Sequence, residues 1–305
     1  MSTLTPGLVH TTVTPFSADL KIDFATFEKL IAFHLRNGAE ALAVQMHAGE
    51  SVSLSDTEQK QVLDFVLKQV AGKVPVLAHV SDSGTAIAAA RARYAEKAGA
   101  AAVIATATYY WTPPAAMVFE HIAQIGSAVK IPFYLLHAPD EMGGSHHMNT
   151  DMVMKLMDRL PNFAGVIDTS LDWQFMINIV SNAWRRNPKF QLAAGNEYMV
   201  SAGAVGATSM ITSLSGVAPR HIHKLYDICR TEKYFDARST QEDIVLLRRA
   251  VVQAGHGGLK GALRAMGRDC GQPRPPLDSL SPEGYATLKA ALDKLTWLTN
   301  EPRGW

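Results

Sequence analysis

The chain has 305 residues, of which 47% are hydrophobic and 19% charged, and its formal net charge is +1. This composition fits one large α/β domain with a substantial core, and the near-neutral charge without a basic run argues against nucleic-acid or membrane-surface binding. No apolar run reaches the roughly 18 residues of a membrane span, the N-terminus does not resemble a signal peptide, and two cysteines form no disulfide framework. We therefore expect a soluble protein of the reducing cytoplasm.

Short apolar runs predict eight buried strands, because a strand that is apolar on both faces is typical of a parallel sheet. The second run gives the clearest signal, since Ser55 and Glu58 after it form a capping box for a helix start. The predicted strands cover residues 8–13, 41–46, 74–80, 101–105, 131–136, 163–167, 191–194 and 207–211.

Predicted helices separate these strands. The capping box predicts a helix from about Asp56 to Val70, and Asp23 can cap an earlier helix that ends at Arg36. This alternation favours an α/β fold of the (β/α)8 TIM barrel type over residues 1–230. An open doubly wound sheet is the alternative, but no Gly-rich phosphate fingerprint follows a strand. The other helices are expected to end at Lys97 or to begin near Pro114, Asn149, Asp172, Asn196 and Pro219.

The last part of the chain, residues 231–305, is predicted to be a C-terminal helical layer packed on the barrel. Its helices are expected at about Ser239–Gln253, Leu259–Met266 and Pro282–Trp297, with a Pro-rich connector between the last two. The sequence therefore predicts one barrel domain with an appended helical extension.

Six short motifs occur in a characteristic order along the chain: Val13-Thr14-Pro15-Phe16, Gly49-Glu50, Tyr109-Tyr110, Ile131-Pro132-Phe133, Gly195-Asn196-Glu197 and Arg274-Pro275-Pro276. In this order they resemble those of the dihydrodipicolinate synthase and N-acetylneuraminate lyase superfamily. The resemblance implies a (β/α)8 barrel with helices at its C-terminus, usually a homotetramer built as a dimer of dimers. The typical members of the superfamily are class I aldolase-like lyases that act on small 2-oxo acids through a lysine Schiff base.

The sequence departs from this family pattern at the catalytic positions. Ile167 stands where the resemblance places the Schiff-base lysine, and an isoleucine has no nucleophile with which to form an imine. Leu136 stands at the position of the catalytic tyrosine. Glu141 stands where an arginine often grips the substrate carboxylate, and this reversed charge disfavours a simple 2-oxo acid. We therefore expect a ligand that is neutral, cationic, or an anion held through histidine or a metal.

Three histidines follow predicted strands and are expected near the mouth of the barrel. His47, His79 and His137 lie close to the ends of the second, third and fifth strands, although the direction of each side chain depends on strand register. Histidine is the usual acid/base group near neutral pH. The first hypothesis is therefore a non-imine lyase that performs C–C or C–O cleavage, hydration, dehydration or isomerisation, with His47, His137 and Tyr110 as catalytic residues.

Further residues are candidates for contact with the small-molecule substrate. The resemblance also implies that Tyr110 reaches into the site of a neighbouring subunit, and that Glu50 has a structural role in its loop. For Asp168 and Asp172, a cap of the following helix is favoured over a catalytic role. The predicted substrate-binding residues are Tyr109, Glu141, Asp168, Asn196, Glu197 and His79.

Two alternative functions stay open at the level of sequence. A divalent metal on His47, His79 and His137 can replace the imine as electron sink or activate water, which would make the protein a metal-dependent lyase or hydrolase. The sequence indicates no other cofactor. The second alternative is a barrel without catalytic activity that binds a small molecule.

Overall fold

A computed structural model describes residues 7–139 and 148–305 of the chain. Eight parallel strands form one closed barrel in chain order, which confirms the predicted (β/α)8 fold. The strands are Leu8–Thr11 (β1), Ala41–Val44 (β2), Val76–His79 (β3), Ala102–Thr106 (β4), Phe133–His137 (β5), Phe163–Asp168 (β6), Gln191–Ala194 (β7) and Ser209–Thr212 (β8).

Helices separate the strands and continue after the last one. In the described ranges, α1 to α7 alternate with the strands, α8 follows β8, and α9 to α11 complete the chain. The helices are Phe24–Arg36 (α1), Asp56–Val70 (α2), Thr85–Ala98 (α3), Ala115–Ser127 (α4), Thr150–Arg159 (α5), Trp173–Arg186 (α6), Met199–Ala204 (α7), Pro219–Cys229 (α8), Tyr234–Gln253 (α9), Gly258–Ala265 (α10) and Pro282–Asp293 (α11).

Local capping explains where several helices begin. The Ser55 hydroxyl accepts the Glu58 N–H at 3.3 Å, and the Glu58 carboxylate accepts the Ser55 N–H at 2.9 Å. This reciprocal pair is the predicted capping box, and α2 has the predicted bounds. Asp23 caps α1 in the same way by accepting the Thr26 N–H at 3.0 Å.

The C-terminal helices differ from the prediction at two of their ends. α9 begins at Tyr234 and not near Ser239, because the polar start of this helix carries little apolar periodicity. α11 ends at Asp293, and a separate 3₁₀ turn covers Thr296–Asn300. Leu295 between them has ψ 81°, outside the helical region, so one continuous helix to Trp297 is not formed.

The described residues fall into two compact units. The first comprises Pro75–Ile211 together with Gly7, and it contains β3 to β7 and most of β8. The second comprises Leu8–Val74 and Thr212–Trp305, and it contains β1, β2 and α8 to α11. The division of the chain at residue 230 remains a prediction.

Strand register in the first unit defines which side chains face away from the helices. A Cβ at Gly126 of α4 would lie 3.1 Å from Phe133 Cδ1, so Phe133 faces the helices. Side chains alternate along a strand, so Tyr134 and Leu136 point to the opposite side, which we call the bore face. There, the Tyr134 hydroxyl donates to Gln191 Oε1 at 3.1 Å.

Candidate active site

The bore face of β5 and β6 is aliphatic where the resemblance places catalytic groups. Leu136 pairs in register with Ile167, and both side chains are buried. Paired residues of parallel strands project to the same side, so Ile167 shares the bore face with Leu136. These two side chains offer neither an amine nor a hydroxyl to a ligand.

His79 lies on the same bore face. It pairs with Ile104 of β4, and Ile104 in turn pairs with Tyr134. Its Nε2 lies 2.8 Å from the Ser81 hydroxyl, and both side chains are buried. The predicted substrate-binding histidine is therefore part of a His–Ser pair at the C-terminal end of β3.

Ser81 is held from several directions. Its hydroxyl oxygen accepts the Thr106 N–H at 2.8 Å, and its carbonyl accepts a hydrogen bond from Arg91 Nη1 at 2.9 Å. Arg91 also forms a 3.0 Å ion pair with Asp82. The sequence analysis did not identify Ser81; the signal that could have found it is the spacing His-x-Ser at the end of a strand.

His137 has different surroundings from those expected of a residue at the mouth. Its Nδ1 lies 2.7 Å from Asp168 Oδ1, its Nε2 accepts the Met148 N–H at 3.3 Å, and its ring centroid is 4.5 Å from that of Phe175 on α6. His137 follows Leu136 on the strand, so it projects to the helix-facing side. The reason is register, which reverses side-chain direction between adjacent residues.

Asp168 belongs to the same helix-facing cluster. It pairs in register with His137, and the Ser170 hydroxyl donates to both of its carboxylate oxygens at 2.9 and 3.0 Å. Because Nε2 of His137 accepts an amide hydrogen, the ring proton lies on Nδ1 and is donated to Asp168. The cap of α6 is the neighbouring Asp172, which accepts the Phe175 N–H at 3.0 Å.

The loop after β7 contains two more predicted substrate-binding residues, and both are buried. Asn196 Oδ1 accepts the Tyr198 N–H at 3.3 Å, and Asn196 Nδ2 donates to the Thr169 carbonyl at 3.4 Å. Glu197 is also buried. A Cβ at Gly195 would lie 2.9 Å from the Asp168 carbonyl oxygen, so this close approach of the two loops requires glycine.

The loop after β4 presents aromatic rings to solvent. Tyr110 is 87% exposed and has φ 73°, a left-handed conformation that bulky residues rarely adopt. Its ring packs edge-on against Trp111 with centroids 4.9 Å apart. Tyr109 is more enclosed: its carbonyl accepts the Ser83 hydroxyl, and burial, with a contribution from Asp82, raises its pKa.

His47 lies in the second unit, where it begins a 3₁₀ turn at His47–Gly49 and is exposed. The Thr14 hydroxyl stabilises this turn by donating to the Gly49 carbonyl at 2.7 Å. Glu50 follows in a left-handed conformation with φ 54°.

Glu50 links this loop to the C-terminal helices. Its carboxylate accepts Lys260 Nζ at 2.6 Å and the Arg274 N–H at 2.8 Å, and both side chains of the Lys260–Glu50 pair are buried. Burial lowers the pKa of Lys260, against the opposing effect of Glu50. The expected structural role of Glu50 agrees with these contacts.

One predicted substrate-binding residue, Glu141, lies outside the described residues. Within residues 7–139 and 148–305, no group of three or more His, Cys, Asp or Glu side chains is placed to hold a metal ion. In the same ranges, no helix is both long enough and apolar enough to cross a bilayer.

Comparison with known proteins gives consistent similarities along most of the chain. A model described as the dihydrodipicolinate synthetase family matches residues 5–295. A 4-hydroxy-tetrahydrodipicolinate synthase of Methanopyrus kandleri is 28% identical and covers 95% of this chain and 96% of the relative. A DapA-like lyase of Halobacterium salinarum is 28% identical over 95% of this chain and 93% of that protein.

A solved structure gives the same result at the level of fold. The crystal structure of a dihydrodipicolinate synthase from Bacillus anthracis superposes with a TM-score of 0.88 at 25% identity. The superposition covers 98% of this chain and 99% of that structure.

Proposed function

Because this chain belongs to the dihydrodipicolinate synthetase family, we propose that it is a lyase-type enzyme that works without a lysine imine. The observation that carries this proposal is the register pair Leu136–Ile167 on the bore face. The motif resemblance assigns a tyrosine and the Schiff-base lysine to these two positions. With aliphatic side chains at both, proton transfer has to come from other groups.

Histidine supplies that chemistry in this proposal. His79 is the best-placed acid/base group in the first unit, because it lies on the bore face with its Nε2 at hydrogen-bond distance from a hydroxyl. His47, exposed in its turn, remains proposed as a second acid/base residue. The contacts of His137 with Asp168 and Phe175 favour a supporting role for this residue on the helix-facing side of the strands.

The reaction class follows from what these groups can do. Acid/base residues without an imine suit C–C or C–O cleavage, hydration, dehydration or isomerisation of a small carbonyl metabolite. The aliphatic Leu136 and Ile167 favour an uncharged reacting centre. We also propose a homotetramer, with the exposed Tyr110 contacting a neighbouring subunit.

One experiment distinguishes this proposal from its two alternatives. The purified protein is incubated with a mixture of small carbonyl metabolites, and mass spectrometry follows which one is consumed. The proposal predicts turnover that survives a chelator and metal-free buffer, and that His79→Asn lowers by about 100-fold or more. Turnover that requires an added divalent ion would favour the metal-dependent alternative, and binding without turnover would favour the non-catalytic barrel.

A further inference from the structure

The His79–Ser81 pair places an imidazole nitrogen 2.8 Å from a hydroxyl oxygen, and both groups are buried. A weak nucleophile next to a general base is the arrangement that covalent catalysis requires. We propose that Ser81 is a catalytic nucleophile activated by His79, and that the pair cleaves a C–C bond in a small 1,3-dicarbonyl compound. This inference rests on the proposed non-imine function and names its nucleophile and substrate class.

The hydrogen-bonding pattern determines where the Ser81 proton points. The Ser81 oxygen already accepts the Thr106 N–H at 2.8 Å, which fixes the oxygen relative to β4. A hydroxyl has one proton to donate, and His79 Nε2 lies at 2.8 Å. In the tautomer with Nε2 unprotonated, the proton is directed at the base that would remove it.

The position of Ser81 is supported by a rigid frame. Arg91 donates to the Ser81 carbonyl at 2.9 Å and pairs with Asp82 at 3.0 Å, while Asp82 accepts the Gly84 N–H at 2.8 Å. Catalytic groups act well when neighbouring contacts lock their geometry. The pair also lies at the C-terminal end of its strand, where barrel enzymes have their reacting groups.

The bore face next to this pair suits an uncharged carbonyl. Thr106, whose N–H bonds Ser81, pairs in register with Leu136, and Leu136 pairs with Ile167. An aliphatic surface disfavours a desolvated carboxylate and accepts an alkyl or acyl group. A neutral ketone is therefore a better fit for attack by Ser81 than a free 2-oxo acid.

The reaction balances with water as the only co-reactant. Ser81 Oγ forms a bond to one carbonyl carbon, the C=O electron pair moves to the carbonyl oxygen, and the Ser81 proton passes to His79 Nε2. The C=O bond then re-forms as the C–C bond breaks, the C–C electron pair enters the enolate of the second carbonyl, and His79 returns the proton to that carbon. Water finally hydrolyses the Ser81 ester, which restores the Ser81 hydroxyl and releases a carboxylic acid, so the net reaction is a hydrolytic C–C cleavage. The second carbonyl is required because it stabilises the departing electron pair.

A serine-directed probe tests this inference without knowledge of the natural substrate. The full-length protein is treated with diisopropyl fluorophosphate, and the adduct is located by mass spectrometry of tryptic peptides. Ser81 and Ser83 lie on the same peptide, between Lys73 and Arg91, so fragment ions have to separate them. We expect one adduct on Ser81, and a labelling rate at least about 100-fold lower in His79→Asn.

Ser83→Ala is the matched control, because the Ser83 hydroxyl donates to the Tyr109 carbonyl and not to a base. It should label at the wild-type rate, and circular dichroism should show that both variants are folded. No adduct, an adduct on another residue, or Ser81 labelling that is equally fast without His79 would overturn the inference. An imine trapped on a lysine would instead refute the proposed function, so the two failures are distinguishable.

Discussion

Ile167 lies beside Leu136 in register on neighbouring strands, and both side chains are buried on the bore face of the barrel. The family resemblance assigns a lysine and a tyrosine to these adjacent positions. An imine mechanism needs an amine that becomes a covalent carrier and a group that moves protons. In our interpretation the lysine and the tyrosine are both replaced, so two adjacent aliphatic side chains occupy the positions of the imine chemistry.

The first prediction concerns the buried ion pair between Lys260 and Glu50. Lys260 Nζ lies 2.6 Å from Glu50 Oε1, and both side chains are buried. Lys260→Met therefore leaves the Glu50 carboxylate buried without its cation. We expect the free energy of unfolding to fall by about 3–5 kcal/mol in denaturant titrations. Lys260→Met combined with Glu50→Gln should lose less, because no uncompensated charge remains.

The exposed pair Lys289–Asp293 is the matched control for this experiment. Lys289 Nζ lies 2.7 Å from Asp293 Oδ2, but both side chains are more than half exposed. Lys289→Ala should therefore cost less than about 1 kcal/mol. Equal losses for Lys260→Met and Lys289→Ala would contradict the importance of the buried contact.

The second prediction concerns stability against acid. Burial lowers the pKa of His34 to about 3, with a further effect of Arg268, and burial followed by His34 lowers the pKa of His10 well below its usual value. The unfolded chain, with histidine pKa values of about 6.5, then takes up protons first as pH falls. For His34 the loss of stability should extend from about pH 6.5 to about pH 3; between about pH 6.5 and 5, above the range of the carboxylates, it should reach up to about 1.4 kcal/mol per pH unit for each such histidine.

Denaturation of His34→Leu across the same window measures this effect. The variant should show a shallower pH slope, whatever its absolute stability, because one buried neutral histidine is missing. Leu30→Ala changes a buried residue of the same helix that does not titrate, so it should lower stability and leave the pH slope unchanged. Carboxylates such as Glu58, whose pKa Arg274 lowers to about 2, affect stability only below about pH 4.5. If His34→Leu left the dependence of stability on pH unchanged, buried neutral His34 would not be the cause of the loss of stability in acid.

How far the sequence predicts this fold is clear from particular elements. The capping box of Ser55 and Glu58 is a local interaction, so α2 could be predicted with its observed bounds. The barrel followed from repeated buried strands. The end of α11 could not be predicted, because the apolar pattern continues past Asp293 while the backbone at Leu295 leaves the helix.

The site was less predictable because side-chain direction depends on register. His79 and His137 both end a strand, yet His79 shares the bore face with Ile104, and His137 packs against Phe175. In the sequence alone the two histidines look equivalent. Ser81 was missed because the His-x-Ser spacing gains meaning only once the structure places the Ser81 hydroxyl 2.8 Å from His79 Nε2.

The third prediction concerns assembly. Tyr110 is 87% exposed in a left-handed conformation that costs roughly 1 kcal/mol or more, and we propose that a contact with a neighbouring subunit offsets this cost. Light scattering at micromolar concentration should show at least a dimer, with a tetramer expected. Tyr110→Gly should weaken association. Phe235→Ala removes an equally exposed ring, at 87%, and should leave association unchanged. A monomeric wild-type protein would contradict the prediction.

Borohydride trapping with pyruvate shows whether this barrel works without a lysine imine. The wild-type protein and the variant Ile167→Lys are each treated with pyruvate and sodium borohydride, and intact mass is measured. We expect the mass of the wild-type protein to be unchanged. In the variant, an adduct on the introduced lysine would show that the trap works in this barrel. A stable adduct on any barrel lysine of the wild-type protein would contradict a mechanism without an imine.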